Sequence, residues 1–189
     1  MTAIIDYKAG NLTSVKLAFA ALGAEAVVTS DPKVIAAADR VVFPGVGAAK
    51  SAMENLRAFG LVEPVKEAAA TKPFLGICLG MQILFDHSEE DGGVDCLGII
   101  SGNVRRFPTV PGFKVPEIGW NGVEGLDGKE FYFVHSYYAE VVPETAGVTE
   151  YAGVKFTAMV KKERLWACQF HPEKSGRIGL ELIKEWLSC

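Results

Sequence analysis

Histidine and cysteine are scarce in this 189-residue sequence, with three of the first and four of the second. The cysteines (Cys78, Cys96, Cys168, Cys189) include no Cys-x-x-Cys pair, and the three histidines form no ligand-spaced cluster with them. A disulfide framework and a zinc ribbon are therefore not expected; four reduced thiols are. Positive charge is not in excess. The 19 Lys and Arg against 23 Asp and Glu give a net charge of −4, which argues against a nucleic-acid-binding face. Arg105-Arg106 and Lys161-Lys162 read as solvated surface pairs. No apolar run approaches the roughly 20 residues of a membrane span. The longest, Phe74 to Phe85, contains Gln82 and two glycines. The N-terminus lacks a basic stretch and Asp6 interrupts its apolar residues, so export is not expected and the location reads as cytoplasmic. Repeats and low-complexity segments are missing too. With 49% hydrophobic and 22% charged residues, the chain reads as one folded domain over residues 1–189.

What is present is an alternation of short apolar runs and helical patterns. Ala3-Ile4-Ile5 predicts a strand, and Asn11 can cap a helix whose Val15, Ala18, Phe19 and Leu22 share one face before Gly23. Ala26-Val27-Val28 is the next strand, and Asp31-Pro32 starts a second helix. Arg40 to Phe43 is a third strand, followed by helical sequence to about Ala70 that Gly60 divides. Pro73 to Ile77 is a fourth, with a helix from Leu79 to Phe85 behind it. From Gly92 to about Val160 glycine, proline and period-two segments (Phe131 to Val134, Val148 to Met159) predict antiparallel additions. A strand from Leu165 to Phe170 and an amphipathic helix from Gly176 to Leu187 close the chain. The expected fold is α/β: a flavodoxin-like, mostly parallel sheet flanked by helices, with antiparallel strands added.

Gly76-Ile77-Cys78-Leu79-Gly80 has the form of a nucleophile elbow with cysteine in the serine position, at a predicted strand-to-helix turn. Such a turn needs glycine on both sides, because it is sharp and strains its central residue. A thiol there stands above the strand ends, where a helix dipole and an imidazolium favour thiolate. The N–H of Leu79 would face the oxygen of an attacked carbonyl, giving half of an oxyanion hole. A buried cysteine between two packing glycines is the other reading. Pro44-Gly45-Val46-Gly47 belongs to the same sheet edge, and its glycines let Val46 or Gly47 offer a second N–H. It fits neither phosphate-loop pattern, although a plain turn stays open.

A nucleophilic cysteine needs a base. His171 is the best placed, in Phe170-His171-Pro172-Glu173. Pro172 biases His171 to an extended conformation, in which Glu173 points the same way as the imidazole. A carboxylate on one ring nitrogen fixes the tautomer and leaves the other nitrogen for the thiol proton. A strand-capping histidine beside a helix-start carboxylate is the plainer alternative. His87, in an acidic setting, reads as an exposed cation at a helix end. His135 ends an apolar strand before Ser136-Tyr137, and reads equally as a substrate contact or a satisfied core histidine. Cys96, Cys168 and Cys189 read as structural.

Together these residues resemble the triad (class I) glutamine amidotransferases. The resemblance is closest to the glutaminase subunits of imidazole glycerol phosphate synthases, enzymes of histidine biosynthesis. It is carried by Ile5-Asp6-Tyr7 with Gly10-Asn11, Pro44 to Gly47, Leu75 to Gln82, Gly119-Trp120-Asn121, Tyr132 to Tyr137, and Phe170 to Gly176. Lys8 stands where the family usually has Gly, and Glu117-Ile118 where it usually has His-Met. The resemblance implies that Cys78 attacks the γ-carboxamide of L-glutamine, with His171 and Glu173 as the other triad members. It further implies an oxyanion hole from Leu79 and the Val46-Gly47 loop, and glutamine held by Gly47, Gln82, His135, Ser136 and Tyr137. No cofactor or metal is required. The implied partner is a (β/α)₈-barrel synthase (cyclase) subunit, forming a heterodimer through Tyr132, Trp120, Asn121, Lys174 and Asn11 and receiving ammonia directly. Three other readings use the same residues: a glutaminase for another synthase, a peptide or ester hydrolase, and a flavodoxin-like cysteine redox module.

Overall fold

The computed structural model describes residues 1–8 and 12–189. The cap expected at Asn11 therefore lies outside the described residues. The first half alternates as its periodicities require: β1 (Thr2–Ile5), α1 (Leu12–Ala21), β2 (Ala26–Thr29), α2 (Pro32–Ala37), β3 (Arg40–Phe43), α3 (Ala49–Ala58), α4 (Val62–Thr71), β4 (Phe74–Ile77) and α5 (Leu79–Gln82). Asp31 caps α2 by accepting from the Lys33 N–H at 2.8 Å, and Gly60, at φ 65°, separates α3 from α4. The second half holds β5 (His87–Ser88), β6 (Val94–Asp95), β7 (Asn103–Arg106), β8 (Glu117–Gly122), β9 (Glu130–His135), β10 (Tyr137–Ala139), β11 (Thr145–Tyr151), β12 (Val154–Lys162), β13 (Leu165–Cys168) and α6 (Gly176–Leu187).

The strands β2-β1-β3-β4-β13 lie side by side and parallel, and β12 continues the sheet antiparallel to β13. Alternation along each strand builds two cores. Val41, Phe43, Phe74 and Ala167 face α3 and α4, whereas Val42, Leu75, Trp166 and Cys168 face α1 and α6. Both faces are covered, so β1, β4 and β13 are buried at every position, as apolar runs without alternation demand. The order 2-1-3-4-13 reverses direction beside β1, and clefts form at the carboxyl edge next to such a reversal. No helix among the described residues is long and apolar enough to cross a membrane.

Two expectations need correction, and a third, of antiparallel strands after Gly92, gains detail. The helix after Cys78 is a single turn. It ends at Gln82, and Leu84 and Phe85 continue in tighter i to i−3 bonds before Asp86 bonds to Gly102. His87 consequently sits in β5, not at a helix end, and its Nδ1 meets Asp95 Oδ1 at 2.9 Å. The period-two segment from Val148 to Met159 is two strands joined at Ala152-Gly153, both at positive φ (51° and 74°), the geometry of a tight hairpin turn.

Candidate active site at the carboxyl edge of the sheet

Three parallel strands deliver the predicted groups to one edge: β3 leads to Val46 and Gly47, β4 to Cys78, and β13 to His171. Cys78 has φ 53° and ψ −108°, a conformation unfavourable for any residue with a Cβ. It is held there from both sides. Its N–H bonds to the Cys168 carbonyl at 2.7 Å, and its carbonyl accepts from Met81 and Gln82 at 2.9 and 3.1 Å. The flanking glycines are required for close approach. A Cβ on Gly80 would stand 2.1 Å from the Phe43 carbonyl oxygen, and one on Gly76 would stand 2.7 Å from that of Gly80. Gly45 packs equally tightly on the elbow, since its Cβ would meet Gly80 N at 2.4 Å. The Pro44–Gly47 loop and the elbow are thus pressed together. A macrodipole sums over aligned peptides, so the one-turn α5 favours a thiolate less than a long helix would. What α5 supplies is local: Leu79 heads it, and its N–H has no intrahelical acceptor.

His171 has the extended backbone that Pro172 imposes (φ −103°, ψ 94°) and is fastened to β9 through its N–H, 2.8 Å from the Tyr132 carbonyl. Ser175 Oγ donates to the His171 carbonyl at 2.7 Å and accepts from the Tyr132 N–H at 3.0 Å. The imidazole Nδ1 meets Glu173 Oε1 at 2.7 Å, both side chains being nearly completely buried. Its Nε2 is buried without a hydrogen-bond partner. Burial alone would lower the basicity of this ring. The Cys78 sulfur and the Glu173 carboxylate outweigh it and raise the His171 pKa. The arrangement is one nitrogen fixed by a carboxylate and the other open toward a thiol.

A cavity of about 310 Å³, the low end of ligand-sized clefts, opens over these groups and is lined by Val46, Gly47, Cys78, Leu79, Gln82, Ser136, Tyr137 and His171 among others. Every residue predicted for the oxyanion hole or for glutamine lines it, and Glu173 stands behind His171. Gly47 adopts φ 112°, and the Val46 carbonyl accepts from Tyr7 Oη at 3.3 Å. His135 lines the cavity with both ring nitrogens engaged: Nδ1 donates to the Tyr137 carbonyl at 2.7 Å and Nε2 meets Glu117 Oε2 at 2.9 Å.

Two site residues escape the sequence reading. Glu90 brings a carboxylate to the cavity wall, where burial pushes its pKa up and the Ala49 N–H, bonded at 2.6 Å, partly offsets that. In sequence it belongs to the acidic run around His87, where nothing singles it out. Gln169, fully buried, reaches the Cys78 sulfur with its amide nitrogen at 3.5 Å. Its signal is parity: Cys168 and Phe170 face one core, so Gln169 and His171 face the other way. Among the described residues no group of three His, Cys, Asp or Glu could hold a metal ion.

The residues expected at a partner face divide. Trp120 is 54% exposed and packs edge-on against Tyr132 across β8–β9, with Ile118 beside it at 62%. Lys174 is exposed. Asn121 instead donates to Glu117 Oε1 and the Glu150 carbonyl, and accepts from the Gly122 N–H. Asn11 lies outside the described residues. Lys8 has φ 64°, a left-handed conformation that glycine adopts without strain, and its ammonium pairs with Asp6 at 3.2 Å.

The family model "Glutamine amidotransferase class-I" matches residues 3–187. The "Imidazole glycerol phosphate synthase subunit HisH" of Dehalococcoides mccartyi (strain CBDB1) is 48% identical, covering 98% of this chain and 96% of that protein. Its namesake from Dechloromonas aromatica (strain RCB) is 49% identical over 98% and 94%. That of Methanothermobacter thermautotrophicus is 47% identical over 99% and 98%. Among solved structures, a glutamine amidotransferase superimposes with TM-score 0.76 at 20% identity, covering 98% of this chain and 97% of the other. The PurLQS structure from Thermotoga maritima gives 0.68 at 16% identity, over 99% and 97%. At such identities the structures bear on the fold alone.

Proposed function

The chain belongs to the class I glutamine amidotransferases, in their imidazole glycerol phosphate synthase subunit HisH branch, and from that premise we propose a reaction carried by Cys78, His171 and Glu173. It is a glutaminase subunit serving histidine biosynthesis. Cys78 Sγ, deprotonated by His171 Nε2, attacks the carboxamide carbon of L-glutamine. The oxyanion is stabilised by the Leu79 N–H and one from the Val46-Gly47 loop. His171 then protonates the departing nitrogen, ammonia leaves, and a γ-glutamyl thioester remains on the sulfur. Water, its proton taken by the same nitrogen, releases glutamate. Glu173 holds the ring and offsets its charge whenever it carries both protons. Gln82, Ser136, Tyr137 and Gly47 position glutamine, and Glu90 is the anion that its α-ammonium requires.

The observation that carries this reading is the His171 ring: one nitrogen 2.7 Å from a buried carboxylate, the other buried and unpartnered beside the thiol. The consumer of the ammonia is a (β/α)₈-barrel synthase subunit, docked as a heterodimer over the cavity mouth. Transfer within such a complex keeps ammonia from protonation in bulk water. The exposed Ile118 and Trp120 on β8–β9 support a covered face there, and the complex works in the cytoplasm. Two assays test this. Glutamate release from glutamine should vanish in Cys78→Ala, and wild-type release should rise on adding the barrel subunit with its nucleotide ligand. Activity retained in Cys78→Ala refutes the triad; full turnover without the barrel refutes the dependence on docking.

A further inference from the structure

Gln169 lies outside the three residues assigned to the chemistry, yet its amide is in contact with the reacting sulfur. It is fully buried, at the end of β13, and a buried amide must place both its donor and its acceptor. The direction of that amide is forced by a chain of groups. The Tyr137 carbonyl can only accept, and it takes Gln82 Nε2–H at 2.8 Å and His135 Nδ1–H at 2.7 Å. Gln82 must therefore present its NH₂ on that side, and its second N–H reaches Gln169 Oε1 at 3.0 Å. With its oxygen taken, Gln169 has only its NH₂ to turn toward Cys78 Sγ. The far end is anchored by His135 Nε2 on Glu117, across β8–β9.

We propose that Gln169 is a further catalytic residue: its amide N–H is a hydrogen-bond donor to the Cys78 thiolate, aimed there by Gln82 and the Tyr137 carbonyl. The proposal rests on Cys78 being the nucleophile. An N–H aimed at sulfur stabilises the charged form over the neutral thiol, because bonds to ionised acceptors are the stronger ones. Gln82, read above as a contact for glutamine, then also sets the direction of the donor that activates the sulfur. His171 supplies the proton path and Gln169 supplies a fixed dipole that does not exchange its proton.

The test is the pH dependence of Cys78 alkylation by iodoacetamide, followed by mass spectrometry of the Cys78 peptide, in Gln169→Leu and Gln169→Glu. Deleting the donor should move the midpoint upward by about one pH unit, the tenfold equivalent of one charge-assisted hydrogen bond. The kcat for glutamine should fall about tenfold while KM stays within about threefold, the signature of an interaction lost in the chemical step. Gln169→Glu is nearly isosteric and keeps the acceptor that Gln82 needs, but turns a carboxylate toward the sulfur. It should shift the midpoint further than Gln169→Leu. A merely structural role predicts an unmoved midpoint in folded Gln169→Leu, since the carboxylate of Gln169→Glu repels the thiolate whatever the native amide does. An unmoved midpoint in either folded variant overturns the proposal, and the Gln169→Glu measurement stands if Gln169→Leu does not fold. Glutamine hydrolysis retained in Cys78→Ala would overturn the triad reading and this one together. A lost activity in Cys78→Ala with an unmoved midpoint in either folded Gln169 variant would overturn this one alone.

Discussion

The molecule holds two buried histidines, each paired with a carboxylate and each lining the same cavity. His135 meets Glu117 through Nε2 and the Tyr137 carbonyl through Nδ1, so its bonding capacity is full. His171 meets Glu173 through Nδ1 and leaves Nε2 without a partner. The chemistry of the two pairs is nearly identical, and the burial is too, with side-chain exposures of 3% and 4% in the first pair and 1% and 3% in the second. The number of open nitrogens separates them. A ring with both nitrogens bound fastens β8 to β9 and to the β9–β10 junction. A ring with one open nitrogen can move a proton. Counting unsatisfied groups therefore assigns these histidines where residue type, burial and charge partner do not.

That contrast can be broken at either carboxylate. At the active pair, Glu173→Gln replaces an acceptor by an amide whose NH₂ can turn to Nδ1, forcing the proton onto Nε2. The ring can then no longer take the thiol proton, and kcat should fall on the order of 10³- to 10⁴-fold with the fold intact, as wrong-tautomer substitutions do in other triads. Steady-state glutamate release with a circular-dichroism control measures this, and a loss under tenfold would break the assignment. At the fastening pair, Glu117→Leu strands a buried His135 nitrogen and frees Asn121. The expected cost is about 3 kcal/mol of stability, read from urea denaturation. Hydrolysis by the folded fraction should be far less affected than in Glu173→Gln. A catalytic loss as deep as that one, without a stability loss, would erase the distinction between the two histidines.

The elbow and the His-Pro-Glu segment were legible in sequence for a local reason. Glycine flanks, proline bias and period-two geometry act within five residues, and they predict Cys78 above β4 and Glu173 beside His171. The parallel strands were legible because burial on both faces writes uninterrupted apolar runs. What escaped is long-range. The pairing of β5 with β7 draws His87 out of a helix, and no residue near His87 announces it. Glu90, at the cavity wall, is tied to the N–H of Ala49, 41 positions earlier. Gln169 meets Cys78 across 91 positions, and Glu117 meets His135 through strand register. Glu117 stood out as a departure from the family pattern, but its role as the buried partner of His135 required the register of a hairpin.

The central claim is that Cys78, and no other cysteine, is the activated nucleophile. Incubation with a glutamine-shaped electrophile such as a γ-diazoketone at pH 7.5, followed by peptide mapping, tests it most directly. Burial pushes the Cys96 thiol up to about 11 and holds Cys168 far above the ordinary thiol range, so both stay neutral and unreactive at that pH. Cys189 is exposed and lies outside the cavity that holds Cys78 and His171. The predicted result is one adduct, on Cys78, that is prevented by excess glutamine and slowed strongly in His171→Asn. Labelling at Cys96, Cys168 or Cys189 in place of Cys78, or an undiminished rate in His171→Asn, would contradict the account.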